Sequence, residues 1–304
     1  MPYALFLGCT APIRARNYEI STRLVAKRLG IDLVDVDGFS CCGFPIQAMD
    51  DETARLMAAR NIMLAEENNL DIVTLCSACT AMLTEVSKQL REQEAYRKEV
   101  NKKLESLGRR AKGVATVKHV VRMLYEDIGP ARIEKSLTRD LSGLKIASHY
   151  GCHYLKPSEV YEGFDNPEDP KTLDEMIGAT RAQCLYYEER LQCCGGAVVG
   201  IDERLALSMA REKLGHAKEA KADAIVLMCP FCGIMYDANQ RKIESNFELE
   251  LGVPVLYYPQ LLGLGLGFTP DQLGFKMNSV KTEALKEKIG SLPPVQAEEP
   301  AVKG

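Results

Sequence analysis

The feature that most constrains this chain is a repeat of cysteines. Eleven cysteines occur in 304 residues, and ten of them, all except Cys184, fall into two sets with one pattern. Each set is a single cysteine, then an adjacent pair, then C-x-x-C. The first set is Cys9, Cys41, Cys42, Cys76 and Cys79; the second is Cys152, Cys193, Cys194, Cys229 and Cys232. The gaps are 31 and 33 residues in the first set and 40 and 34 in the second. Both pairs run straight into glycine, as Cys41-Cys42-Gly43 and Cys193-Cys194-Gly195. The flanks repeat as well. An apolar stretch ends at Cys76 and another at Cys229, each preceded by a helical pattern, over 51–69 and 202–220. His119 falls about where Tyr257 does in the second copy. Self-similarity of this kind marks internal duplication, so the same unit is built twice.

Apolar periodicity gives the unit its architecture. Short apolar runs at 3–7, 31–36 and 72–75 read as buried strands, and 17–29 carries apolar residues at helical spacing before Gly30. Asp50 or Asp51 is a suitable N-cap for the helix over 51–69. The charged stretch 81–110 reads as one long helix with a wet face. Strands alternating with helices imply parallel pairing. The fold class is therefore α/β: two pseudo-symmetric domains, each a small, mainly parallel sheet flanked by helices. The expected boundaries are 1–128 and 143–270, with a linker at 129–142 and a C-terminal helix and flexible tail over 271–304. In parallel sheets ligands gather beyond the carboxyl ends of the strands. Cys9, Cys76, Cys152 and Cys229 all follow predicted strands, so each domain should carry a pocket of five thiols.

Composition narrows the chemistry. Apolar residues make up 46% and charged residues 26%, the balance of a folded chain. Lys+Arg is 38 against Asp+Glu 42, and this net charge of −4 offers no electrostatic case for nucleic acid. No apolar run approaches the roughly 18–20 residues needed to span a bilayer. The N-terminal residues lack the basic region and cleavage site of a secretory signal, which makes the cytoplasm the expected location. In a reducing compartment cysteines serve metals or redox chemistry more often than disulfides.

Five thiols per domain admit three readings. A redox dithiol uses the C-x-x-C and leaves three cysteines idle. A structural zinc takes four ligands around one small ion, which adjacent cysteines serve awkwardly, and leaves one. An iron–sulfur cluster tolerates widely separated thiolates, either as a cubane with a spare thiol or as a cluster opened beyond the cubane shape that uses all five.

The remaining candidates have plainer readings. Cys184, in the helical pattern 175–185, reads as a small buried hydrophobe. His149 reads as a core histidine, whereas His153, beside Cys152, reads equally as a proton donor at a thiolate site or as a histidine packed in the core or bonded to sulfur. Lys156 reads as a solvated charge. The glycine-rich 263–267 follows a helix start, not a strand, and lacks the spacing of a dinucleotide-binding loop.

The duplicated C…CCG…C-x-x-C pattern, from Tyr3 to about Gly267, resembles the CCG-domain (cysteine-rich domain) family, in its two-domain form found in heterodisulfide reductase B subunits. The resemblance implies two non-cubane [4Fe-4S] clusters. Cys9, Cys41, Cys42, Cys76 and Cys79 would hold one, and Cys152, Cys193, Cys194, Cys229 and Cys232 the other. It implies an oxidoreductase in which a disulfide binds between the clusters and is cleaved by two electrons, with His153 as the candidate proton donor. Implied partners are an HdrC-like subunit with ferredoxin-type [4Fe-4S] clusters, an HdrA-like flavoprotein, and a small-molecule or protein-bound disulfide or thiol. An electron-relay subunit with a different thiol substrate, or a structural zinc module, are the competing expectations.

Overall fold

The computed structural model describes residues 2–295. Eight strands form two four-stranded sheets: β1 (Pro2–Phe6), β2 (Asp32–Val34), β3 (Asp71–Thr74) and β4 (Val117–His119), then β5 (Lys145–His149), β6 (Gln183–Leu185), β7 (Ala224–Leu227) and β8 (Val255–Tyr257). The orders are β2-β1-β3-β4 and β6-β5-β7-β8, and every pairing is parallel. The duplication inferred from the cysteines is thus a duplication of topology. β1, β3, β5 and β7 are buried almost throughout, as strands covered on both faces must be.

Matching helices cover matching faces. Arg16–Leu29 ends at Gly30, whose φ of 75° is the left-handed C-cap that glycine supplies without a Cβ clash. Asp51–Glu67 and Glu203–Glu219 are the equivalent helices of the two halves. Asp50 accepts from the Thr53 N–H at 2.9 Å and Asp202 from the Leu205 N–H at 2.9 Å, so one N-cap is used twice. β4 and β8 each run directly into a helix, with His119 and Tyr257 as the corresponding N-cap residues.

The two halves share one buried core. Tyr18 stacks on Tyr257 with ring centres 4.2 Å apart. The Tyr18 hydroxyl (3.0 Å) and His119 Nε2 (2.9 Å) both bond the Met228 carbonyl, one residue before Cys229. Two residues of the first half therefore grip the backbone that presents a cysteine of the second.

Two sequence expectations are corrected, the long helix and the helical setting of Cys184. The helix expected over 81–110 starts at Ser77 and is two helices, Ser77–Glu92 and Glu94–Leu104. Gln93 interrupts it in extended backbone, and Arg97 Nη1 donates to the Leu90 and Arg91 carbonyls that the break frees. The first of the pair is largely interior, burying Met82, Leu83, Val86 and Leu90. Cys184 lies on β6, not in a helix, because the helix of that region ends at Gly178. The 129–142 segment contains a helix, Pro130–Lys135, and the Thr138 N–H donates to the Gly265 carbonyl. The C-terminal stretch holds the helix Glu283–Gly290, after which Arg139 and Pro294 form an antiparallel bridge. The rest of the expected tail, 296–304, lies outside the described residues.

Candidate functional site

Each cysteine is delivered by the carboxyl end of a strand, and the local backbone explains how. Gly8 (φ 65°) turns the chain after β1, and a Cβ there would come within 3.0 Å of Cys79 Sγ. Gly151 (φ 75°) does the same after β5, before Cys152. The CCG loops follow β2 and β6. Gly43 (φ 94°) and Gly195 (φ 79°) press onto the helix beneath: an added Cβ would lie 2.3 Å from the Ala54 carbonyl oxygen and 2.6 Å from that of Ala206. Only glycine permits both the sign of φ and the approach. Cys76 and Cys229 are helix N-caps in nearly the same conformation, φ −132° and ψ 124° against φ −124° and ψ 127°. Cys79 and Cys232 follow in the first turn. Free amides at those helix starts favour thiolate over thiol.

All eleven cysteines are free thiols. Nine of the ten repeated ones touch in a continuous string. In the first half Cys41 meets Cys42, Cys42 meets Cys79, and Cys79 meets Cys76. In the second, Cys152 meets Cys193, Cys193 meets Cys194, Cys194 meets Cys232, and Cys232 meets Cys229. The halves join where Cys76 Sγ and Cys229 Sγ approach to 4.0 Å. Cys9, exposed, stands close enough to Cys41 for their charges to interact.

Proximity makes the thiols unequal. Hydrogen bonds from Cys41 and Cys79 draw Cys42 down to about 4, and those from Cys152 and Cys194 draw Cys193 down to about 2. Cys232 and Cys76 hold Cys229 well below the usual thiol range. Their donors Cys41, Cys76, Cys79, Cys152, Cys194 and Cys232 are pushed up. The thiols drawn down, Cys42, Cys193 and Cys229, thus lie in both halves and at the junction. Among the described residues no three His, Cys, Asp or Glu side chains converge as they would around one ion.

The other candidates settle into distinct places. His153 is half-buried and meets Phe44 of the first half edge-on, with ring centres 4.7 Å apart. It therefore stands between the loops of the two cysteine sets, and burial lowers its pKa. His149 is fully buried, and desolvation, with Lys213 beside it, holds it neutral. Lys156 pairs with Glu168 at 2.9 Å on the surface, as a solvated charge does. Cys184 is half-buried and unconnected to the string, with its thiol pushed up to about 12 by burial. In the strand register it corresponds to Leu33 of the first half, which supports its reading as a hydrophobe.

Three further polar residues stand near the string. Asn61 Nδ2 donates to the Cys41 carbonyl at 3.0 Å, while its Oδ1 accepts from the Ser40 N–H at 2.9 Å. Lys213 lies wholly buried, near enough to Cys232, Cys194 and Cys193 for their charges to interact. His119 grips Met228. Motif spacing points to none of the three. A signal for the first two does exist in the sequence: both interrupt the apolar face of their helices at equivalent positions.

Known proteins share this construction. The family described as CCG, cysteine-rich domain, matches residues 3–84 and again 146–237. The B subunit of the ferredoxin/F420H2-dependent CoB-CoM heterodisulfide reductase of Methanosarcina acetivorans is 36% identical, over 94% of this chain and 96% of its own length. An Archaeoglobus profundus protein named as similar to the heterodisulfide reductase B subunit is 35% identical over 93% of this chain and 97% of its own. The 8-methylmenaquinol:fumarate reductase membrane anchor subunit of Wolinella succinogenes is 32% identical over 93% and 98%. Among solved structures, a hypothetical protein from Helicobacter pylori superposes with a TM-score of 0.77 at 13% identity, covering 92% of this chain and 52% of that one. That last likeness speaks to fold alone.

Proposed function

The chain belongs to the CCG cysteine-rich-domain family, in the two-domain form of heterodisulfide reductase B subunits, and from that premise we propose that it is the iron–sulfur subunit where a disulfide is exchanged for two thiols. The observation that carries the proposal is the string of thiols joined at Cys76 and Cys229. It joins four cysteines of the first set to all five of the second across the boundary of the halves, with Cys9 near Cys41.

The donor set fits clusters of the non-cubane [4Fe-4S] type. The groups contain only sulfur, and the five thiols of each exceed the four ligands that a tetrahedral zinc takes. Cys9, Cys41, Cys42, Cys76 and Cys79 would hold one cluster, and Cys152, Cys193, Cys194, Cys229 and Cys232 the other. When bound, each would supply one electron and a Lewis-acidic iron to one sulfur of the disulfide.

The chain's own residues do the rest. Gly43 and Gly195 fix the adjacent pairs against rigid helices. The backbone amides at the helix starts of Cys76 and Cys229 would offset the thiolate charge that cluster binding requires. Tyr18 and Tyr257 are buried beside Cys76 and Cys229. His153, at the mouth between the loops, is placed to give a proton to a departing thiolate. In a complex, an HdrC-like ferredoxin-type subunit and an HdrA-like flavoprotein would supply the electrons. Among the described residues no helix is long and apolar enough to cross a membrane.

A second reading, in which the chain relays electrons without binding a disulfide, draws on the Wolinella relative, whose name places it in a quinol:fumarate reductase. The test mixes chemically reduced protein with a small-molecule disulfide under anaerobic conditions. Release of two thiols per disulfide with loss of the reduced signals supports the exchange reaction. Signals unaffected by any disulfide or thiol support the relay.

A further inference from the structure

The two cysteine sets are near copies, yet the structure gives them different electrostatic floors. The helices Asp51–Glu67 and Glu203–Glu219 correspond residue for residue: their caps, Asp50 and Asp202, and the residues beneath the CCG glycines, Ala54 and Ala206, are equivalent. In the same register Asn61 corresponds to Lys213. Both side chains are completely buried. Asn61 bonds the Ser40 N–H and the Cys41 and Met57 carbonyls, a neutral arrangement in which both ends of the amide are used. Lys213 Nζ instead donates to the Arg190 carbonyl at 2.8 Å and to His149 Nδ1 at 3.1 Å. The first-half counterpart of His149, at the end of its central strand, is Phe6.

A buried ammonium requires a countercharge. Neither partner of Lys213 supplies one, since a carbonyl and a neutral imidazole carry no net charge. Burial pulls Lys213 down to about 7, and what pushes it back up is first of all Cys232, Cys194 and Cys193, ahead of the exposed Glu189. Metal-bound cysteines are thiolates. The counterions of Lys213 are therefore the ligands of the second cluster, and the equivalent position under the first carries no cation.

We propose that Lys213 is a positioning residue that makes the two clusters electrically unequal, so that the second accepts the first electron. A fixed positive charge in a low-dielectric interior favours whichever state of its neighbour is more negative. Addition of one electron from an external low-potential donor makes a cluster more negative by one charge. The ammonium therefore raises the second reduction potential and leaves the first, which has only Asn61, nearly unchanged. This inference rests on the reading that both sets hold clusters. It gives the duplicated sites different roles: the second site fills first, and the first site completes the pair.

The test is an anaerobic redox titration followed by EPR, with iron and sulfide measured on the same samples. Wild-type protein is expected to show two resolved midpoints, and Cys42→Ala, which disables the first site, to remove the lower one. Lys213→Met is expected to shift the reduced-to-oxidised ratio of the second cluster at a fixed potential by at least tenfold toward oxidised. That equals a fall of about 59 mV for a one-electron couple. Lys213→Arg, which keeps the charge, should restore most of the shift, whereas rescue by Lys213→Gln would mean that only the hydrogen bonds matter and would overturn the proposal. Equal midpoints in wild type, or loss of the higher one in Cys42→Ala, overturn it even where Lys213 variants fail to load. Protein without iron and sulfide defeats the cluster reading itself and this inference with it.

Discussion

Cys76 Sγ of the first half and Cys229 Sγ of the second lie 4.0 Å apart, both at helix N-caps of matching conformation. As ligands of two clusters, these sulfurs would bring the metal centres close enough for their unpaired spins to interact. Fully reduced protein is expected to show broadened or split EPR signals. Cys42→Ala should leave a single, unsplit signal from the second site. Two sharp, additive signals in the fully reduced wild type would place the centres farther apart than this geometry allows.

Gly43 and Gly195 are the hinges on which the adjacent cysteines sit. Gly43→Ala places a Cβ 2.3 Å from the Ala54 carbonyl oxygen, and Gly195→Ala one 2.6 Å from that of Ala206. Overpacking of this kind costs about 1–3 kcal/mol, with the positive φ adding to it. Each variant should lower the chemical-denaturation midpoint and lose iron selectively from its own half. Unchanged iron content in both would show that the loops tolerate displacement.

His119 is a pH-sensitive clasp between the halves. Its Nε2–H donates to the Met228 carbonyl, so Nδ1 must accept from the Val121 N–H, as it does at 3.2 Å. Protonation at Nδ1 would set two donors face to face. Burial holds its pKa at about 4, against 6.5 for a free histidine. The unfolded chain therefore binds the proton in this window and the folded chain does not, so stability is full above 6.5 and falls as pH drops toward 4. The loss amounts to roughly 3 kcal/mol over the window. Urea denaturation across that range measures it, and His119→Asn, which does not titrate, should flatten the dependence.

His153 can be separated from the ligands. His153→Ala should keep iron and sulfide at wild-type levels while slowing disulfide turnover, most of all toward acidic pH, where the wild-type imidazole, its pKa lowered by burial, carries the proton it would donate. Turnover unaltered across the pH series would reduce His153 to a packing partner of Phe44.

What can be read from residues alone follows a physical line. The two sheets, the strand ends before the cysteines, the Asp50 cap and the correspondence of His119 with Tyr257 are legible, because each rests on local pattern or on the repeat. The break at Gln93 is not, because no glycine or proline marks it and Arg97 stabilises it from a distance. Cys184 reads as helical because a half-buried three-residue strand carries no alternation long enough to outweigh its neighbours. Lys213 escapes notice because a single lysine in a charged helix resembles a surface residue. Only its alignment with Asn61 reveals that it faces inward.

The central claim is that ten cysteines hold two four-iron clusters. Iron, zinc and acid-labile sulfide content of anaerobically purified protein, with EPR before and after reduction, tests it most directly. The account predicts about eight irons and eight sulfides per chain, halved in Cys42→Ala. Zinc without sulfide would contradict it and make the cysteines a scaffold.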